Sequence, residues 1–95
     1  MRVTGPLLKV LQVLLASPEN DVYGLELIRA TGLKSGTLYP LLDRMEAAGW
    51  LSSHWEESAS TSGPRRRFYV LTGYGIHEGR QVLAEYGARA GFAWT

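Results

Sequence analysis

Three consecutive arginines form the densest cluster of charge in the sequence. Arg65, Arg66 and Arg67 begin the segment RRRFYVL, directly after a stretch of small residues that ends in Gly63-Pro64. Guanidinium groups bind phosphate oxygens, so arginines beside a loop can contact a nucleic-acid backbone or reach into a minor groove. The alternative is a solvated strand edge whose charge discourages pairing with other chains. Of the two, the segment favours a phosphate-binding surface.

A helix is predicted from Ser35 to about Ala48, although it contains a proline. Its apolar residues recur at the spacing of one helical face: Leu38, Leu41, Leu42 and Met45. Ser35 is the predicted N-cap, so Pro40 lies only in the second turn and removes about one internal hydrogen bond, that to Gly36. Because Pro40 lies opposite the leucines, the freed carbonyl faces water or a ligand. The proline is therefore less costly here than in mid-helix.

The outward face of this helix is small at its N-terminal end. The residues opposite the apolar stripe are Gly36, Pro40, Asp43 and Ala47. Thr37 and Arg44 lie on one flank, and Tyr39 lies on the other. A helix that enters a major groove needs such a face, which permits close approach and carries a few hydrogen-bonding and cationic groups. A purely structural helix with solvated Thr37 and Tyr39 would show the same pattern.

The remaining elements position this helix within a recognisable architecture. Helices are predicted at residues 6–16, capped by Thr4, and at residues 23–31, stopped by Gly32; the short turn to the next helix makes a helix-turn-helix. Strands at 50–56 and 65–71 form a β-hairpin, or wing, and Thr72 caps a last helix from about residue 74 to 89. The predicted fold is mainly α with a small β-hairpin. It comprises a winged helix-turn-helix, residues 1–72, and a C-terminal dimerisation helix, residues 73–95, in one compact unit.

Composition excludes several classes of function. The chain has 95 residues, a net charge of +1 and no cysteine, which excludes disulfides and thiolate metal sites. His54 and His77 lie on different elements, and no nucleophile–base arrangement is present, so we expect no enzyme, no cofactor and no metal. Lys9 and Gln12 interrupt the apolar run near the N-terminus, so we expect neither a signal peptide nor a membrane partner. The expected location is cytoplasmic.

A second copy of the chain is the predicted partner of two helices. The first helix is apolar nearly all round, which indicates burial on more than one side. The last helix carries a heptad-like seam in which glycine at position 79 permits close approach. Such a dimer would match a palindromic DNA site. Phe92 and Trp94 either line a pocket for a flat aromatic effector or close the interface. The predicted interface residues are Leu7, Leu11, Leu14, Ile76, Leu83, Tyr86 and Ala90.

Three segments resemble the PadR family of bacterial transcription regulators: GLKSGTLYPLLDRMEAAGWL, WEE and GPRRRFYVLTGYG. The resemblance covers about residues 11–79, and the short C-terminal part is similar to the smaller subfamily with a single last helix. It implies a homodimeric repressor that binds double-stranded DNA at an inverted repeat and is often relieved by a small molecule. The DNA contacts that it implies are Tyr23, Lys34, Ser35, Thr37, Tyr39, Arg44, Arg65, Arg66 and Arg67.

The alternative to a DNA-binding regulator is a winged helix that docks on another protein without reading DNA. The two interpretations differ in an observable property. Binding to DNA releases counterions from the phosphates, so affinity for DNA falls steeply with salt.

Overall fold

The computed structural model describes residues 1–57 and 65–90, with side chains described as far as residue 87. Its elements in chain order are α1 (Gly5–Ala16), β1 (Val22–Tyr23), α2 (Gly24–Thr31), α3 (Ser35–Ala47), β2 (Leu51–Trp55), β3 (Arg67–Leu71) and α4 (Gly73–Ala90). The helices enclose one apolar core, and a small antiparallel sheet packs beside them. This arrangement confirms the predicted class of winged helix-turn-helix with a C-terminal helix.

Helix α1 lies at the centre of the core. Its first turn is stabilised as predicted, because the Thr4 hydroxyl accepts a hydrogen bond from the Leu7 N–H at 3.2 Å. The helix contacts α2, α3 and α4, and so its own chain covers it on several sides. Leu7 and Leu11 are fully buried and Leu14 is 3% exposed. The expectation that these three leucines form a dimer interface is therefore wrong, since one chain already covers them.

The sheet has one strand more than the sequence predicts. Its order is β1-β3-β2, with β1 paired to β3 through Val22 and Tyr23. The sequence pattern predicts Tyr23 in the second helix, because a two-residue strand shows no periodicity of its own. Strands β2 and β3 form the predicted hairpin, in a register that runs from Leu51 opposite Leu71 to Trp55 opposite Arg67.

Helix α3 buries the predicted face but begins differently at its N-terminus. Each of the four predicted core residues is at most 1% exposed: Leu38, Leu41, Leu42 and Met45. The N-cap is Lys34 rather than Ser35, and the Lys34 side chain makes no capping hydrogen bond. Ser35 is instead the first helical residue, so the prediction of a Ser35 cap is wrong. The Lys34 carbonyl accepts hydrogen bonds from the N–H groups of Thr37 and Leu38, which closes the first turn.

Two glycines allow α4 to pack closely against the rest of the chain. A Cβ on Gly75 would overlap the carbonyl group of Trp50, and a Cβ on Gly79 would lie 3.0 Å from Leu11 Cδ2. The close approach at Gly79 is thus to α1 of the same chain, and not to a partner helix as the heptad-like spacing predicts. Thr72 caps α4 as predicted, since its hydroxyl accepts a hydrogen bond from the Gly75 N–H at 2.9 Å.

Gly75→Ala is expected to lower the free energy of unfolding by about 1–3 kcal/mol, because the added methyl group forces the backbone of Trp50 to move. Gly73→Ala is the matched control, since nothing lies within 4 Å of a Cβ at that position. Urea denaturation of both variants and the parent measures the difference. Equal stability of the two variants would contradict the close packing at Gly75.

Candidate nucleic-acid interface

The outward face of α3 is exposed and nearly free of bulky side chains. Gly36, Pro40, Asp43 and Ala47 are all exposed, and nothing lies within 4 Å of a Cβ built on Gly36. The helix continues through Pro40 without a break. The carbonyl that Pro40 leaves without a helical N–H partner belongs to Gly36, on the same open face. A duplex could therefore approach the backbone of α3 closely at its N-terminal half.

The predicted polar residues of α3 divide into separate groups. Lys34, Ser35 and Thr37 are exposed around the first turn, where the N–H groups that precede Thr37 have no partner within the helix. Tyr39 is 40% exposed and faces the wing. Arg44 is also exposed, but it lies on the other flank of the helix, beside the N-terminal segment.

Arg67 joins the wing to α3. Its Nη2 donates hydrogen bonds to Glu46 Oε1 at 3.2 Å and to Ser53 Oγ at 2.8 Å, and the Ser53 hydroxyl donates to Glu46 Oε2 at 2.7 Å. The guanidinium group also lies 5.4 Å from the ring centroid of Trp55. We call Arg67, Glu46 and Ser53 the wing junction. Sequence reasoning missed this role, because only the folded chain brings residues 46, 53 and 67 together.

Arg66 packs on the side of the hairpin that carries Phe68. Its guanidinium carbon is 4.7 Å from the centroid of the Tyr23 ring. Tyr23 packs edge-on against Phe68, and Phe68 stacks on His54, whose Nε2 is 3.3 Å from Asp21 Oδ2. This row of rings fixes Tyr23 beside the arginines, and the pairing of β1 with β3 fixes its backbone.

Residues of β1, the start of α2, α3 and the wing line one open depression, which we call the wing groove: Tyr23, Gly24, Leu25, Tyr39, Arg65, Arg66 and Arg67. No carboxylate is among them. Gly24 is a site residue that sequence reasoning missed, since a Cβ there would overlap the Tyr39 ring. Arg65 is exposed and has no ion-pair partner among residues 1–57 and 65–90. Uncompensated cations with two phenolic hydroxyls suit a phosphate backbone.

Tyr69 of β3 is a buried core residue next to the candidate interface. It is 3% exposed, and burial raises the pKa of its hydroxyl, against a smaller lowering of that pKa by Arg67. Tyr69 is therefore neutral at physiological pH and serves as a packing residue. Among the described residues, no cluster of His, Asp and Glu could hold a metal ion, and no helix is long and apolar enough to cross a membrane.

The remaining predicted residues belong to the C-terminal part of the chain. Ile76, Leu83 and Tyr86 are half-buried on α4. Ala90 ends that helix, and its side chain is not described. Phe92 and Trp94 lie outside the described residues.

Solved structures with the same fold include several regulators. A PadR-like transcription factor from Bacteroides fragilis is 29% identical, with 84% of this chain and 81% of that chain covered and a TM-score of 0.68. The protein smu.1704 from Streptococcus mutans is 28% identical, with coverage of 95% and 87% and a TM-score of 0.71. A PadR family transcriptional regulator from Eggerthella lenta is 27% identical, with coverage of 90% and 74% and a TM-score of 0.64.

Most of the chain matches one protein family. No protein with a curated description matches the sequence. The profile of the transcriptional regulator PadR-like family matches residues 10–85, which include α2, α3, both strands of the wing and most of α4. This chain therefore belongs to the PadR-like family of transcriptional regulators, which are DNA-binding regulators and not enzymes.

Proposed function

We propose that the protein is a homodimeric transcriptional repressor that binds an inverted repeat in double-stranded DNA and is released by a small aromatic molecule. The observation that carries the proposal is the juxtaposition of the small, exposed face of α3 with the carboxylate-free wing groove. A helix that enters the major groove beside a cationic wing is a common way for a winged helix to engage a duplex.

The N-terminal half of α3 provides the main contact with the major groove. Gly36 and Pro40 let the helix backbone approach the base edges, while Thr37 and Ser35 supply hydroxyl groups. Lys34 lies at the start of the helix, where its ammonium group pairs with a phosphate. The outward face, on which Asp43 lies, offers few groups that can read bases. Sequence preference therefore depends in part on the shape of the duplex.

The wing groove provides the contact with the phosphate backbone. Arg65 and Arg66 supply charge, and the hydroxyls of Tyr23 and Tyr39 supply hydrogen bonds. Arg67 has a different task, because the wing junction occupies it with Glu46 and Ser53. It holds the hairpin at a fixed angle to α3, so that helix and wing meet the duplex together.

Dimerisation through α4 would give the binding surface the two-fold symmetry of an inverted repeat. Ile76 and Leu83 support this proposal, since both are apolar residues that their own chain leaves partly exposed. The effector proposal rests on the aromatic side chains of Phe92 and Trp94, which follow α4 in the sequence. A flat aromatic molecule bound there would change the spacing of the two α3 helices.

Replacing Arg65 and Arg66 with alanine is expected to weaken binding to every DNA sequence. The slope of log affinity against log salt concentration should become shallower by about one unit for each lost phosphate contact. Both quantities are measured by fluorescence anisotropy at two salt concentrations. The labelled probes are DNA from the region upstream of the protein's own gene, called upstream DNA, and DNA of scrambled sequence. Arg80→Ala is the control, because Arg80 is exposed on α4 and does not line the wing groove.

The same titration tests the proposed function itself. Preference of the parent protein for the upstream DNA, with affinity that falls as salt rises, would support a self-regulating repressor. Binding that is insensitive to salt, or absent at low salt, would contradict DNA recognition and favour a winged helix that docks on another protein.

Ser53→Ala is expected to weaken DNA binding by roughly three- to tenfold without changing the salt slope, because it loosens the wing junction but removes no charge. The matched control is Ser52→Ala, an exposed neighbour on β2. Anisotropy at several salt concentrations supplies the readout, and urea denaturation confirms that both variants fold. A Ser53→Ala affinity equal to that of the control would show that the junction does not position the wing.

Light scattering after gel filtration is expected to give twice the chain mass of 10.5 kDa. Leu83→Glu should reduce the mass to that of one chain and abolish the preference for an inverted repeat, because a buried carboxylate is costly at an apolar interface. Ala84→Glu, at an exposed position next to it, should remain dimeric. A dimeric and folded Leu83→Glu variant would exclude this face of α4 from the interface.

A further inference from the structure

We propose that Arg2 and Arg44 form a second phosphate-binding site, which engages the DNA strand on the side of α3 opposite the wing. The two arginines line a shallow depression together with Met1 and Thr4. We call it the N-terminal depression. The inference rests on the proposed binding of α3 to DNA and adds Arg2, a residue outside the predicted interface, to the surface that holds the duplex.

The backbone next to Arg2 is anchored by the two residues that follow it. Val3 is half-buried and packs against the core. Thr4 caps α1 through its hydroxyl, which accepts the Leu7 N–H at 3.2 Å. Arg2 is therefore held one residue from a packed side chain, next to Arg44 on α3, while both arginines remain exposed. Such a site loses less conformational freedom on binding than two cations on free segments would lose.

The two depressions lie on different flanks of α3. Tyr39 lines the wing groove, and Arg44 lines the N-terminal depression. These residues are five positions apart, so at about 100° per residue they project about 140° apart around the helix axis. A helix in the major groove has one phosphate strand on each side, because the two strands form the walls of the groove. One cationic depression thus faces each wall.

The distribution of charge supports a backbone ligand on both sides. The chain has 10 Lys and Arg residues, and five of them line one of these two depressions: Arg2, Arg44, Arg65, Arg66 and Arg67. No acidic residue among those that the structure describes lines either one. Within the described part of the chain, neither Arg2 nor Arg44 has a carboxylate within 4.0 Å. Their charge therefore remains available to a phosphate.

The test compares Arg2→Ala, Arg44→Ala and the double variant with the parent protein, using a fluorescent duplex of about 30 base pairs, long enough for two half-sites. Phosphate contacts do not depend on sequence, so a duplex of arbitrary sequence at low salt is sufficient. Arg80→Ala on α4 is the control, since Arg80 lines neither depression. The slope of log affinity against log salt is measured for each, and urea denaturation confirms folding.

Each single variant is expected to reduce the slope by about one unit per protomer and the double variant by about two. This reduction in slope should add to the reduction in the Arg65 and Arg66 double variant, because the two sites bind different DNA strands. A parent protein that binds without salt dependence would overturn the proposed function as a whole. A parent that binds normally, with an Arg2→Ala slope equal to that of Arg80→Ala, would overturn only the second site.

Discussion

The burial of α1 among the other three helices is the constraint on which the rest of the structure depends. An apolar helix covered by α2, α3 and α4 fixes the positions of all three, since each must bury its own apolar face against the same cylinder. Helix α3 buries its four large apolar residues in this common core. What remains for the outside is a short row of small residues, and that row is the surface which can approach a duplex.

The wing depends on α3 through polar contacts rather than through the core. Arg67, Glu46 and Ser53 join β3, α3 and β2 near the protein surface, where an ion pair adds little to stability. Its value lies in orientation, because a bidentate or bridged arginine restricts the angle between two elements. The fold is thus held by apolar packing, and the angle between the helix and the wing is held by a solvent-accessible network.

Apolar spacing predicted the buried face of α3 and the order of helices and hairpin, because a period of 3.6 residues is visible within a single element. The remaining features depend on partners distant in sequence. β1 forms only because it pairs with β3. Arg67 bonds to residues 46 and 53 only in the folded chain. The leucines of α1 were assigned to a dimer because sequence shows how much apolar surface a helix has, but not that three helices of one chain cover it.

The net charge of +1 is nearly neutral, so the positions of the cations matter more for DNA binding than their number. A uniformly basic surface binds any duplex in any orientation, whereas five arginines gathered in two depressions beside one helix would favour a single orientation in the proposed complex. The wing junction neutralises Arg67 with Glu46, so even within the wing groove the free charge is concentrated on Arg65 and Arg66. In the proposed complex, the positions of the unpaired cations therefore select the orientation of the duplex. In the proposed complex, these unpaired cations hold the small face of α3 against the base edges in that one orientation.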